Sequence, residues 1–314
     1  MSWTAIKLTY QARSPLHIGF HTLGYIQRTR YYIPGRTMWG ACTANLTRAI
    51  GEPGTVDYKP IGEDLFNKHI LLSYFYPLIE SGKPLIPRYK EDEGLCYGDY
   101  PKYGFTEQAF EKKFIRSFGQ TAILPETNTA EDNSLHESEF IVHEINNGSN
   151  RGSVPTDFAG YVLIRKGTTF KNKPVTWDDG GINLKSALSE IFVGGDRKYG
   201  WGRLTLKSDV LIIEPGRFFD HDLTLQGEHP IVTIKEDLPI PAHLPLSENL
   251  SLKGDIEPLV GREWGEITNT EGNKKNGAGQ KISSAKMCWV PGSILNKEES
   301  LTISSFGILK GCAL

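Results

Sequence analysis

The sequence has no apolar run approaching the roughly 18 residues that a membrane-spanning helix needs. Its first residues, Met1-Ser2-Trp3-Thr4-Ala5-Ile6-Lys7, lack a charged segment followed by an apolar one. No secretory leader is therefore expected, and the chain reads as cytoplasmic. Cysteine is scarce. Cys42, Cys96, Cys288 and Cys312 include no pair at Cys-x-x-Cys spacing, which argues against a structural zinc site and leaves buried free thiols as the expectation. There is no His-Glu-x-x-His. His17 and His21 are four apart, but Gly19 between them and Pro15 before them make poor helix, so no shared metal is expected. A charge excess of one sign is also missing: 35 Lys+Arg stand against 37 Asp+Glu, a formal net charge of -2. A protein coated in positive charge is excluded, whereas a local basic stripe is not.

Glycine and proline, by contrast, are plentiful. The 33 glycines and 18 prolines make up roughly one of every six of the 314 residues, against a usual share of about 12%. That excludes a simple helical bundle and predicts many turns. Hydrophobic residues at 39% are enough for a core, and the length allows one large domain or two ordinary ones.

Residues 3–12 alternate apolar Ile6, Leu8 and Tyr10 with polar Lys7, Thr9 and Gln11, the period of a strand. A helix fits residues 37–50, with Thr37 as N-cap, Trp39, Cys42, Leu46 and Ile50 near a 3.6 period, and Gly51 as the stop. Residues 70–79 read as a buried strand and 80–113 as an irregular insertion. Residues 120–145 read as a long hairpin between Ala122-Ile123-Leu124 and Phe140-Ile141-Val142, and 146–153 as a flexible loop. A strand over 158–165, a helix over 183–193 capped by Asn183, and a strand over 203–213 follow. The order β, α, β, insertion, β, α, β is that of a ferredoxin-like (RRM-like) α+β unit. The last hundred residues show weaker strand runs, at 231–234, 286–290 and 301–304, and little helix signal.

The most informative stretch is Gly194-Gly195-Asp196-Arg197-Lys198-Tyr199-Gly200-Trp201-Gly202-Arg203. Glycines let a backbone approach a ligand and expose its N–H groups. Arg and Lys supply charge for phosphates, and Tyr and Trp offer faces for base stacking. This mixture suits single-stranded RNA. A dinucleotide fingerprint would need Gly-x-Gly-x-x-Gly between strand and helix; here Gly200-x-Gly202 precedes a strand. An ordinary glycine-rich turn is the competing reading.

This stretch resembles the C-terminal glycine-rich loop of the CRISPR-associated RAMP superfamily, where it joins the second helix to the fourth strand of a ferredoxin-like unit. Ser14-Pro15-Leu16-His17-Ile18-Gly19 is similar to the end of that family's first strand. Ile33-Pro34-Gly35-Arg36-Thr37-Met38-Trp39-Gly40-Ala41 resembles its Pro-Gly-Ser-x-x-x-Gly-Ala helix entry, with Arg36 in place of the usual Ser. Residues 128–139, including Thr129, Ala130, Leu135 and His136, resemble the turn of the thumb hairpin of type III subunits. Trp289-Val290-Pro291-Gly292-Ser293-Ile294-Leu295 resembles a strand of the second, degenerate ferredoxin-like domain of the subunit that caps the crRNA 5′ end.

The resemblance implies a ferredoxin-like domain over 1–213 with an insertion at about 80–155, and a smaller degenerate ferredoxin-like domain over 214–314. It implies a non-catalytic type III effector subunit, closest to the D-type version, that grips the 5′ handle of the crRNA. Its implied partners are crRNA, target RNA in the assembled complex, the large polymerase/cyclase-like subunit and RAMP backbone subunits, with no membrane and no cofactor. The expected RNA contacts are His17, Arg36, Gly194, Gly195, Arg197, Lys198, Tyr199, Gly200, Trp201, Gly202, Arg203 and Lys281. Tyr199 and Trp201 either stack on bases or pack the loop. Lys274, Lys275 and Lys281 form either a second basic loop toward RNA or a plain surface loop. The alternative function is an endoribonuclease, with His17 as general acid/base for crRNA processing or Asp132 cleaving target RNA.

Overall fold

The alternation in residues 3–12 does make a strand, β1 (Trp3–Ala12). Because side chains alternate across a strand, its two faces enter two different cores. Ile6, Leu8, Tyr10 and Ala12 join one cluster, and Trp3 and Ala5 join the other. The computed structural model describes residues 1–51, 57–146, 152–212, 216–248, 250–268, 272 and 274–312. Of the loop expected at 146–153, residues 147–151 lie outside these.

β1 is followed by α1 (Gly35–Ile50), β2 (Ile70–Leu72), β3 (Asp157–Arg165), α2 (Leu184–Ala187) and β4 (Arg203–Ile212). β4, β1, β3 and β2 lie side by side in that order, all neighbours antiparallel, with Lys7 paired to Tyr161 on one side and Val210 on the other. Met38, Cys42 and Leu46 of α1 and Leu184 of α2 pack against Ile6, Leu8, Val162 and Leu204. Each such fully buried aliphatic side chain contributes about 1.5–3 kcal/mol of transfer free energy.

Several local expectations are corrected. α1 begins at Gly35, not Thr37, and no side chain caps it. A Cβ on Gly35 would stand 2.2 Å from the Phe306 carbonyl oxygen and 2.6 Å from that of Leu72. Close backbone approach, not capping, therefore sets the entry. The strand expected over 70–79 breaks at Ser73, whose N–H bonds the Tyr161 carbonyl and whose Oγ accepts from the Tyr161 N–H at 2.7 Å. The chain resumes pairing with β3 at Tyr76–Pro77. Residues 80–113 are ordered: strands Pro87–Lys90, Gly94–Asp99 and Tyr103–Thr106 form a sheet leading into the helix Glu107–Phe114. Their aromatics explain why, since Tyr97 stacks on Phe110 at 4.2 Å and Phe110 on Phe114 at 4.7 Å.

A long hairpin is present but begins earlier than expected: Ile115–Gln120, not residues 122–124, pairs with His136–Ile141, and Ile123–Leu124 pairs instead with Thr129–Ala130 at the tip. A second hairpin, Gly19–Leu23 with Ile26–Thr29, was not legible in the sequence. It joins the first through a parallel pairing of Ile26 and Gln27 with Glu137 and Ser138. Glu139 fixes the junction by accepting from Arg28 Nε at 2.7 Å.

The segment after residue 215 differs from a degenerate ferredoxin-like domain. Among its described residues there is no α-helix, only short 3-10 turns. It is an antiparallel five-stranded sheet over Gly216–Phe218, His221–Thr224, Ile231–Ile234, Glu299–Ile303 and Leu309–Gly311, plus a long ribbon of Ile256–Thr268 against Lys274–Trp289. No helix is needed, because the back of the first sheet supplies the cover: Trp3, Tyr74, Tyr76, Tyr161 and Leu163 share one core with Phe218, Val232, Leu301 and Ile303. No helix among the described residues is long and apolar enough to cross a membrane.

A buried polar chain crosses this shared core. Tyr74 Oη donates to His243 Nδ1 at 2.6 Å, His243 Nε2 donates to Glu257, and Arg30 pairs with Glu257 at 2.6 Å. Burial opposes the charge of Glu257, but the His243 hydrogen bond and the Arg30 charge outweigh it and hold the carboxyl below its usual range. His221 is also buried. Its Nε2 donates to the Pro239 carbonyl and its Nδ1 has no partner, so a second proton would meet no acceptor. Burial accordingly lowers its pKa to about 4.

A group depressed on folding stabilises above its unfolded pKa and loses that contribution as pH falls through the folded value. Stability should therefore fall between about pH 6.5 and 4, on the order of 3 kcal/mol from His221. Denaturant midpoints measured against pH should show a shallower fall in His221→Gln than in wild type. Separately, Gly35→Ala should cost about 1–3 kcal/mol, read from the same titrations at neutral pH.

Candidate nucleic-acid interface

The glycine-rich segment lies across the end of β1. The Gly195 N–H bonds the His17 carbonyl at 2.9 Å, the Gly202 N–H bonds that of Pro15 at 2.8 Å, and the Val193 N–H bonds that of Gly202 at 2.9 Å. These contacts admit no side chain. Gly194 has φ +75 and a Cβ there would stand 2.1 Å from the His17 oxygen; Gly202 has φ +84 and its Cβ would stand 2.0 Å from the Val193 oxygen. Gly200 also has φ +84 but faces open space.

The loop joins two strands, not a helix to a strand. After Leu188 the chain enters a short strand, Glu190–Phe192, which pairs with the start of β4. The helix expected over 183–193 is thus cut to α2, with Asn183 capping it as anticipated by accepting from the Ser186 N–H at 2.8 Å.

Between these anchors Arg197–Tyr199 forms a 3-10 turn that projects outward. Arg197 and Lys198 border a cleft of about 360 Å³ whose other walls are Ala41, Ala44, Asn45, Arg48 and Phe192. Ala41, Ala44, Asn45 and Arg48 recur at helical spacing, so they form one stripe of α1. Asn45 donates to the Glu190 carbonyl, fixing α1 to the strand before the loop, and its Oδ1 accepts from Arg48 Nη1 at 3.3 Å. Three cations, an amide and an aromatic ring therefore converge on a small opening, a composition suited to an anionic nucleotide.

The remaining predicted residues sort by place. Tyr199 is 69% exposed beside the cleft. Trp201 is half-buried and meets Phe140 of the hairpin edge-on at 4.9 Å, so it packs the loop against that hairpin. Arg203 is paired with Glu190 at 2.7 Å. His17 is buried, with Nδ1 2.7 Å from the Glu139 carbonyl oxygen, and is wedged between loop and hairpin. Arg36 lies away from the loop, donating to Ser283 Oγ at 2.8 Å and sitting 4.2 Å over the Phe306 ring. Lys281 is exposed on the ribbon, where Lys274 and Lys275 begin the returning strand; the side chains of the latter two lie outside the described residues.

Thr129 and Ala130 are exposed at the hairpin tip with Asp132 beyond them, Leu135 is 58% exposed, and His136 Nδ1 contacts the Ser134 carbonyl at 3.0 Å. No group of three or more His, Cys, Asp or Glu suited to a metal occurs among the described residues.

The sequence reading missed Asn45, Arg48 and Phe192. The α1 stripe was legible in the spacing, but its apposition to the loop was not. It also missed Phe118, 56% exposed on the hairpin face that carries Phe140, since Phe140 pairs with Arg116 and Ser138 with Phe118.

No protein-family model and no curated protein matches the chain. Among solved structures it is similar to a chain of the Type III-B Cmr-beta complex bound to cognate target RNA and AMPPnP, solved by cryo-EM. The TM-score is 0.53 with 11% identity, covering 92% of this chain and 85% of that one. A chain of the same complex bound to cognate target RNA gives a TM-score of 0.47 with 13% identity, covering 92% and 86%. At such identity the likeness to the first is one of fold.

The two glycine environments predict different costs. Gly194→Ala adds a backbone collision to left-handed strain and should destabilise by about 2–4 kcal/mol, whereas Gly200→Ala adds strain alone, about 1 kcal/mol. Urea midpoints of the two variants would show the difference.

Proposed function

We propose that the chain is a non-catalytic RNA-binding subunit of a type III CRISPR effector, and that its glycine-rich loop and α1 grip the repeat-derived 5′ handle of the crRNA. The observation that carries this is the convergence of Arg48, Arg197 and Lys198 on one cleft beside exposed Tyr199, at a loop held by contacts only glycine allows. The β4-β1-β3-β2 order with two helices on one face supports a ferredoxin-like unit, the base on which the RAMP resemblance rests. The fold shared with a chain of a type III-B complex supports the same class. The resemblance of the thumb and helix-entry motifs favours the D-type version.

Binding fits the placement of the candidate catalytic groups better than cleavage does. His17 is buried with its Nδ1 on a backbone carbonyl, and Asp132 stands in an exposed turn. A general acid/base would need a second group at the scissile phosphate.

Arg48→Ala combined with Arg197→Ala and Lys198→Ala should weaken binding of repeat-containing RNA. The slope of log K against log salt should drop by about 2, given about 0.7 per phosphate contact on a single strand. Unchanged affinity and slope would overturn this assignment. Wild-type protein should leave repeat RNA and target RNA intact; cleavage abolished by His17→Ala or Asp132→Ala would establish the endoribonuclease instead.

A further inference from the structure

The ribbon formed by Ile256–Thr268 and Lys274–Trp289 carries a pattern that the RNA reading leaves unexplained. Directly opposed residues of an antiparallel pair share a face, as do residues two apart along a strand. Ile256 opposes Trp289, Pro258 opposes Met287 and Val260 opposes Ala285. All six therefore lie on one face. Ile256, Val260 and Met287 are 44%, 40% and 49% exposed; Pro258 and Ala285 are exposed, and Trp289 is half-buried. Beyond the bulge after Gly261 the stripe continues with Ile282, 58% exposed, opposite Arg262. The other face is engaged in part and carries charge: Glu257 is locked to His243 and Arg30, Cys288 is buried, Arg36 meets Ser283 beside Gly261, and Lys281 and Lys286 are exposed there. A contiguous exposed apolar stripe on a ribbon anchored this firmly is a mark of an interaction surface.

Its chemistry selects the occupant. The stripe is mainly aliphatic, without the exposed aromatic faces on which bases stack. A cation stands on the stripe's own face, since exposed Arg262 opposes Ile282, and Lys253 is exposed three residues before Ile256, whereas the exposed Asp255 accepts a hydrogen bond from Tyr89 Oη at 2.6 Å. We propose that this face docks a protein partner whose contact surface is apolar at its centre and edged with carboxylates. The inference rests on the functional reading only in taking that partner to be another protein of the same ribonucleoprotein.

The test uses the native assembly recovered from its host. A photo-crosslinker is introduced as Ala285→p-benzoylphenylalanine and, in a second strain, as Tyr199→p-benzoylphenylalanine. Position 285 should crosslink to a protein other than this chain, at an apolar peptide containing Asp or Glu. A crosslink to RNA, to a second copy of this chain or to nothing overturns the proposal, and a peptide without Asp or Glu overturns its acidic rim. Position 199 reports the functional reading independently. RNA captured at 199 with no protein at 285 sinks the docking face alone, and protein captured at 285 with no RNA at 199 sinks the functional reading alone. As a second measurement, Val260→Asp with Met287→Asp should lower recovery of that partner at least tenfold while leaving RNA content and melting temperature unchanged. Undiminished recovery would also overturn it.

Discussion

The placement of the loop depends on one contact, the backbone of Gly194, Gly195 and Gly202 laid directly on the backbone of Pro15 to His17. Hydrogen bonds at 2.8 and 2.9 Å close the gap; a Cβ on Gly194 would stand 2.1 Å from the His17 oxygen, and one on Gly202 would stand 2.0 Å from the Val193 oxygen within the loop. The loop is therefore pinned at both ends, and its middle can only project. Arg197, Lys198 and Tyr199 are displayed there from a backbone held on both sides, so ordering on binding falls on their exposed side chains. The same contact seats His17 against the loop and brings Trp201 onto Phe140, so the loop, the end of β1 and the hairpin form one surface.

Much of this was legible in the sequence because it is local. The period of β1 and the composition of residues 194–203 point to a sheet and to a loop made for close approach. The cap at Asn183 was legible too, but the length of α2 was not. Leu188 and Ile191 carry a helical period, yet Glu190–Phe192 gains more by pairing with the edge of β4. Tertiary pairing overrides periodicity in such short segments. The hairpin Gly19–Leu23 with Ile26–Thr29 was hidden for the opposite reason. Its first strand is exposed throughout, so it has no alternating pattern to read, and it is held by Arg28, Thr29 and Glu139, whose partners are far apart in sequence.

The second sheet shows what resemblance at the level of a short motif can miss. Residues 289–295 match a strand pattern, but the helices that should flank it are replaced by the aromatic back of the first sheet. Tyr32, Tyr74, Tyr76 and Tyr161 are buried there with Phe218 and Phe219. Their hydroxyls need partners, and Tyr74 and Tyr76 find them on His243 and the Pro241 carbonyl across the seam. Those polar pairings select one arrangement of the two sheets, since sliding would strand the Arg30 and Glu257 charges and the His243 ring nitrogens in an apolar core. The two halves are therefore expected to fold together, although each has its own sheet.

Helix α1 links the two surfaces. Arg36 in its first turn reaches Ser283 midway along the ribbon, and Arg48 in its last turn borders the cleft. Twelve residues of α-helix set about 18 Å between these two contacts. Both ends are held by groups that leave little play: a helix entry that excludes a Cβ at Gly35, and an asparagine bonded across to the Glu190 carbonyl at Asn45. A rigid rod with a cationic cleft at one end and an apolar ribbon at the other is suited to fixing an RNA segment and a protein neighbour at a set spacing. A near-neutral net charge is compatible with this, because among the described residues the cleft draws on only three cations, Arg48, Arg197 and Lys198, and no carboxylate lines it.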